Sequence, residues 1–287
     1  ISFQNNIVGT GVVALIESKT NPTSCIALRA DMDALPIQEL NEVDYKSHNP
    51  GIMHACGHDV HTSILLATAK ILNDLKDELP TSVKLIFQPG EEKLPGGAKL
   101  MIEAGVLENP KVDQIFALHV FPELEAGKVG LKSGMYMASC DELYFTINGK
   151  GGHAAMPALN IDPIVIASKL ILALQQIPDN LCPKEIPCVL AIGRIEGLGA
   201  TNVIPDKVEL QGTFRTMNEL WRSTAHKLIH EISKNVISDS NGSIDVRIEN
   251  GYPYLENHSE LTEHTRSLLK DVLSESQVVD LPIRMTG

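Results

Sequence analysis

Positive charge is what this sequence is short of: 24 lysines and arginines face 36 aspartates and glutamates over 287 residues, for a formal net charge of −12. Nucleic-acid phosphates need a basic footprint, so a polynucleotide-binding role is excluded. Acidity itself selects no substrate; it mostly keeps molecules soluble and apart. Long apolar runs are also missing. No window nears the ~18 to 20 uninterrupted apolar residues of a membrane span. No secretory leader is visible either, although Ile1 is not an initiator methionine, so a missing N-terminus could hide one. Cysteine is sparse: five residues, an odd number without framework spacing, fit a reducing compartment and make the cytoplasm the expected location. Internal repeats and low-complexity tracts are lacking. Both ends break off within a pattern, at the strand-like stretch 11–16 with no helix before it and at Met285-Thr286-Gly287, so a fragment of a longer protein is expected.

What is present is concentrated in Met53-His54-Ala55-Cys56-Gly57-His58-Asp59-Val60-His61. Thiolate and imidazole are the side chains that best bind zinc and its borderline neighbours. A lone cysteine is usually a small buried hydrophobe, but Cys-x-His with a further imidazole close by is harder to explain by packing. Ile64, Leu65, Ala69, Leu72, Leu75 and Leu79 follow at helical spacing. The cluster therefore reads as a loop entering a helix, with Asp59 or Thr62 as its cap.

The length suits two domains. Residues 11–17 and 24–30 read as strands separated by an Asn21-Pro22 turn. The second runs into Asp31 and Asp33, which share a face in extended chain; a cation between them and a solvated turn are both open readings. Val83 to Gln88 is a buried strand ending at Glu91-Glu92, which out of context is an exposed charged turn. A helix spans about 98–104, and a strand at 114–120 carries His119 near its end. Strands alternating with helices imply a largely parallel sheet. Ligands bind beyond the carboxyl ends of such strands, which brings these groups and the Cys56/His58 loop to one place.

The second half has a different order. Strands at 141–147, 189–195, 207–216 and 243–249, with helices at about 161–177 and 220–238, make a β-α-β-β-α-β unit of the ferredoxin-like kind. We expect this second domain at 136–249. Residues 1–135 and 250–287, the latter with a helix at about 259–273, form the first domain.

Together these segments resemble the M20 metallopeptidase family, and within it the amidohydrolase branch that cleaves N-acyl amino acids. The match rests on LRADMDALP (28–36), MHACGHDVH (53–61), FQPGEE (87–92), ALHV (117–120), GKGGHAAMP (149–157) and TNVIP (201–205), extended by GTFRT (212–216) and LPIRMT (281–286). The resemblance implies an α/β fold: a zinc-peptidase-like catalytic domain with a mostly parallel sheet, plus an inserted ferredoxin-like lid that also forms a homodimer. It implies two divalent metal ions per subunit, for which zinc, manganese, nickel and cobalt all suit the donor types. Cys56 would bridge them, with His58, Glu92 and His119 as further ligands. Glu91 is the implied general base and Asp33 the carboxylate that orients the centre. His153 would donate to the developing oxyanion, and Asn202 and Arg215 would hold the substrate's amide or carboxylate.

Competing readings stay in view. Cys56 as a nucleophile needs a partner histidine and an oxyanion hole; the nearby acids suit cations better. Gly149 to His153 has the glycines of a phosphate loop but no GK[ST] ending. Arg215 on an exposed strand is commonly just solvated. His61 is expected to pack under the site rather than ligate, and Asp31 and His54 are left without a role. The family's last histidine ligand follows an RMT-like motif; His258 and His264 do not lie in that motif. The expected activity is metal-dependent hydrolysis of N-acyl amino acids, with a dipeptidase or aminopeptidase, or a non-catalytic binding homologue or inactive fragment, as alternatives.

Overall fold

A computed structural model describes residues 1–286. The chain forms two units, one over Ile1–Glu123 and the other from Leu124 onward.

Unit 1 contains β1 (Ser2–Ile7), β2 (Gly11–Ile16), β3 (Cys25–Asp31), α1 (His58–Asp74), β4 (Ser82–Gln88), α2 (Gly97–Glu103) and β5 (Gln114–Ala117). Its sheet runs β1-β2-β4-β3-β5. The pairs β3–β4 and β3–β5 are parallel, whereas β1–β2 and β2–β4 are antiparallel. The sheet is therefore mixed, not mostly parallel as expected. The 11–17 and 24–30 strands are not neighbours, because β4 inserts between them. β4 is central, and its nearly unbroken burial explains its continuous apolar run. Successive residues point to opposite faces. Leu85 packs with Leu65 and Ala69 of α1, and Ile86 packs with Met101 of α2. Buried Lys84, on the α2 side, donates its three ammonium protons to the carbonyls of Val106, Glu108 and Pro110 at 2.7–2.8 Å.

Unit 2 contains β6 (Val129–Leu131), β7 (Gly134–Met137), β8 (Asp141–Asn148), β9 (Gly152–His153), α3 (Pro163–Leu174), β10 (Cys188–Glu196), β11 (Val203–Ile204), β12 (Lys207–Thr216), α4 (Glu219–Ile237), β13 (Ser243–Glu249), β14 (Leu255–Asn257), α5 (Ser259–Val272) and β15 (Val278–Asp280). An antiparallel sheet of order β10-β12-β8-β13 carries the β-α-β-β-α-β connection. Alternation along β8 buries Leu143, Phe145 and Ile147 against Ile166, Ala167, Leu170 and Leu174 of α3 and Trp221, Ala225 and Ile229 of α4. Local signals set the helix starts. Asp162 Oδ1 accepts from the amides of Ile164 and Val165, with Pro163 at the first helical position. Asn218 Oδ1 accepts from Trp221. β14 pairs with β7 and β15 with β6.

Candidate metal centre

In unit 1, backbone hydrogen bonds first stitch the motif segments together. Leu35 N donates to Met53 O (2.9 Å) and Met53 N to Leu35 O (3.0 Å), which ties the segment after β3 to the start of the Cys/His loop. Gly57 then turns the chain into α1 from a left-handed conformation (φ 82°). The expected caps are not used. Asp59 Oδ1 accepts only from its neighbour Val60, and Thr62 Oγ1 donates to Asp31 O at 2.8 Å. Glycine supplies the needed φ instead. A Cβ on Gly57 would also lie 2.5 Å from Val120 Cγ2, so the loop after β5 leaves no room for a side chain there.

Hydrogen-bond partners then fix each imidazole. His58 Nδ1 faces the carbonyl (3.1 Å) and Oδ1 (3.0 Å) of Asp33, both acceptors, so Nδ1 carries the proton. That leaves a lone pair on His58 Nε2, in a side chain only 1% exposed, with no hydrogen-bond partner. Such a group costs about 1–3 kcal/mol unless something occupies it. His119 Nδ1 likewise donates to Val120 O (2.6 Å), which directs its Nε2 lone pair toward Cys56 Sγ at 3.3 Å. His61 differs. Its Nδ1 donates to Asp31 Oδ1 (2.7 Å) and its Nε2 accepts from Val120 N (3.0 Å), so neither nitrogen is left to ligate.

Acids complete the cluster. Asp33 Oδ2 accepts from the amides of Glu91 (2.8 Å) and Glu92 (2.9 Å), so one carboxylate aligns His58 and the turn after β4 together. Burial pushes the Asp33 pKa up, but these amide donors outweigh it and hold the group below its ordinary value. Ligand-type atoms of Cys56, His58 and His119 lie within 4.8 Å of one another, as do those of His58, Glu91 and Glu92. Burial, then the charges of Glu92 and Glu91, push the Cys56 thiol up to about 11. Burial, then Glu92, raise Glu91. Cys56 and Glu91 resist ionising because they are buried and lie among negative neighbours, and a multivalent cation reverses that pressure. The soft thiol, the unprotonated imidazole nitrogens and the carboxylates therefore fit divalent metal ions.

Arg29 and Gln88 also brace this cluster, and sequence reasoning passed over them; Thr62, expected only as a cap, braces it too. Arg29 donates to Asp31 Oδ2 and Gln88 Oε1, both at 2.8 Å. Its position two residues before Asp31 on one strand face was the available signal.

The remaining predicted site residues belong to unit 2. His153 is exposed on β9, where Nδ1 accepts from Ala155 N. Ala154 N donates to Asn202 O at 2.9 Å, placing the His153 and Asn202 segments side by side. Arg215, on β12, donates to Met285 O at 3.2 Å. His258 caps α5, its Nδ1 accepting from Leu261 N. Among the described residues, no helix is long and apolar enough to cross a membrane.

An α/β fold with a cluster of metal-type donors is of the metal-binding α/β class, and comparison with known proteins assigns the family. Residues 27–287 match the peptidase family M20/M25/M40. The N-acyl-L-amino acid amidohydrolase of Geobacillus stearothermophilus is 42% identical over 239 residues, which is 83% of this chain and 64% of that protein. N-acetyl-L-cysteine deacetylase of Bacillus subtilis is 38% identical over 283 residues, 98% of this chain and 66% of that protein. Among solved structures, the YXEP protein of Bacillus subtilis, a dinuclear metal binding peptidase from the M20 family, superposes with a TM-score of 0.80. It is 32% identical, with 100% of this chain and 73% of that one covered. The chain belongs to the M20/M25/M40 peptidase family and has its α/β fold. It spans about two thirds of the length of the curated relatives it matches.

Proposed function

We propose that this chain carries the catalytic centre of a metal-dependent amidohydrolase acting on N-acyl amino acids. The observation that carries the reading is the gathering of Cys56, His58, Glu91, Glu92 and His119 around imidazole lone pairs, one of them on the buried, unpartnered His58 Nε2. The names of the amidohydrolase and deacetylase relatives support the substrate class. Cys56, as a thiolate, with His58, Glu92 and His119, would hold two divalent ions; zinc, manganese, nickel and cobalt all suit these donors. Such ions, when bound, polarise a carbonyl and lower the pKa of water from 15.7 toward about 7.

The protein's own groups do the rest. Glu91, its carboxylate made more basic by burial and by Glu92, takes a proton from the attacking water and delivers it to the departing amine. Asp33 keeps His58 in the right tautomer and keeps the amides of Glu91 and Glu92 aligned. His153 donates to the developing oxyanion, and Asn202 and Arg215 bind the substrate's amide and carboxylate; an arginine fork matches a carboxylate in shape and charge. We assign residues 136–249 to a lid that also mediates a homodimer. Residues 1–135 and 250–287 then make the catalytic domain. Pairing of β15 with β6 and of β14 with β7 sets the C-terminal segment beside residues 129–137, at the boundary of this division. A cytoplasmic location suits the free thiols.

The test is a substrate panel. Metal-reconstituted protein, quantified by elemental analysis, is assayed on N-acetyl amino acids and on free dipeptides. Preference for the N-acetyl compounds is the expected result. A preference for dipeptides would instead make it a dipeptidase, and inert protein with a full metal complement a binding homologue.

A further inference from the structure

A single chain of buried hydrogen bonds links two walls of the cluster, and it runs through residues given no part in the chemistry above. Val120 N donates to His61 Nε2 (3.0 Å), and His61 Nδ1 donates to Asp31 Oδ1 (2.7 Å). Arg29 Nη1 donates to Asp31 Oδ2 (2.8 Å), and Arg29 Nε donates to Gln88 Oε1 (2.8 Å). Gln88 Nε2 ends the chain on Gly90 O (2.6 Å). One end thus grips the peptide that follows His119, and the other grips the carbonyl that precedes Glu91. His61, Asp31 and Gln88 are all nearly inaccessible to solvent, at 2%, 1% and 3% exposure.

The direction of each bond is set by chemistry. A backbone amide can only donate, so His61 Nε2 is its acceptor; Nδ1 must then carry the ring proton, which Asp31 accepts. The His61 ring also lies 4.5 Å from that of His119, centroid to centroid, at 68° between planes. The Val120 side chain also lies close against Gly57, where an added Cβ would come within 2.5 Å of its Cγ2. Held between these surfaces, the Val120 carbonyl is presented to His119 Nδ1 at 2.6 Å, which fixes both the tautomer and the aim of Nε2.

We propose that His61 is a positioning residue. Its Nε2 anchors the Val120 peptide so that His119 Nε2 is preset toward Cys56, and Asp31 and Arg29 hold the His61 ring in the tautomer this requires. The inference rests on the metal-centre reading above and deepens it. Residues that orient a ligand in this way typically alter metal affinity about 10- to 100-fold when removed.

Two near-isosteric substitutions separate the halves of the relay. In His61→Asn the side-chain amide takes the place of Nδ1, keeping the bond to Asp31 and losing that to Val120. In His61→Gln the amide oxygen reaches the place of Nε2, keeping an acceptor for Val120. His61→Leu removes both. Cobalt(II) is titrated into the metal-free full chain, following heat and the thiolate-to-cobalt absorption of Cys56. Thermal midpoints of the metal-free proteins check folding, and His61→Gln keeps the test valid if the leucine variant does not fold. The expected result is a loss of about 10- to 100-fold in cobalt affinity, with a shifted thiolate band, for His61→Asn and His61→Leu. His61→Gln retains most of the affinity, and kcat falls more than KM changes where affinity is lost. Wild-type affinity and absorption in His61→Leu, or equal damage in His61→Gln and His61→Leu, would overturn the inference and leave the metal-centre reading standing. A wild-type chain that takes up no cobalt would overturn both.

Discussion

Each unit of this protein buries an aspartate against a histidine and an arginine, and the two arrangements serve opposite ends. In unit 2, Asp141 accepts from His226 Nε2 at 2.7 Å, from Arg222 Nε at 2.9 Å and from Gly251 N at 3.0 Å, with a further bond from Arg222 Nη2. In unit 1, Asp31 accepts from His61 at 2.7 Å and Arg29 at 2.8 Å. Both carboxylates are buried. Around Asp141 the charge is closed by Arg222, and unit 2 packs one continuous apolar core. Around Asp31 the polar groups continue into Asp33, Cys56, Glu91 and Glu92, with the unpartnered His58 nitrogen among them. The apolar core of unit 1 is split into two small clusters by its sheet. A buried Asp–His pair therefore says little by itself. What separates a brace from a reaction centre is whether neighbouring lone pairs are spent within the protein.

The sharpest test of that contrast is Glu91→Gln, which removes a proton acceptor while keeping shape. Turnover should fall about 10²- to 10⁴-fold with bound metal unchanged, measured by initial rates and elemental analysis. Asp141→Asn should leave turnover per folded molecule intact; a comparable loss there would erase the distinction. Next, Asp141→Ala takes from Arg222 its buried carboxylate and leaves it the half-exposed Glu219 carboxylate and the Gly251 carbonyl, which should cost about 3 kcal/mol in urea unfolding, with no rescue by added metal. Metal should act on unit 1 alone. One ion at 100 times its dissociation constant adds about 2.7 kcal/mol, so a chelator should lower the thermal midpoint of wild type and of Asp141→Asn, but not of His58→Ala.

The smallest effect is one of pH. Burial alone would raise Asp141, yet Arg222 and His226 bring it down to about 2, against about 3.9 for an unfolded aspartate. A depressed carboxylate contributes stability that is fully present above the unfolded pKa and is lost as pH falls through the folded one. About 2 kcal/mol should therefore disappear between roughly pH 5 and pH 2. Urea unfolding of wild type and Asp141→Asn across that range should converge; parallel curves would show that Asp141 is not the group responsible.

Much of this was legible in the sequence because the information is local. Cys56 and His58 share one loop, and the alternating strands with Asp31, Glu91 and His119 at or just beyond their ends place those groups at one edge of a sheet. What stayed hidden depends on distant partners. β1 is a solvent-exposed edge strand with little apolar content, so Ser2 to Ile7 carries no strand pattern. The antiparallel β2–β4 pairing is a choice of neighbour, and alternation within a strand does not encode it. Asp59 and Thr62 look like caps in one dimension, but the backbone conformation of Gly57 and the carbonyl of Asp31 decide otherwise. Arg29 and Gln88 gain meaning only once β3 and β4 lie side by side.

Gly57 has an evolutionary corollary. Between the thiol and the imidazole there is space for a hydrogen atom and nothing larger, since Val120 fills the rest. Drift at position 57 is thus doubly shackled: a descendant with a bulkier residue there must carry a smaller one at position 120 and also bear the left-handed backbone, or reroute the loop.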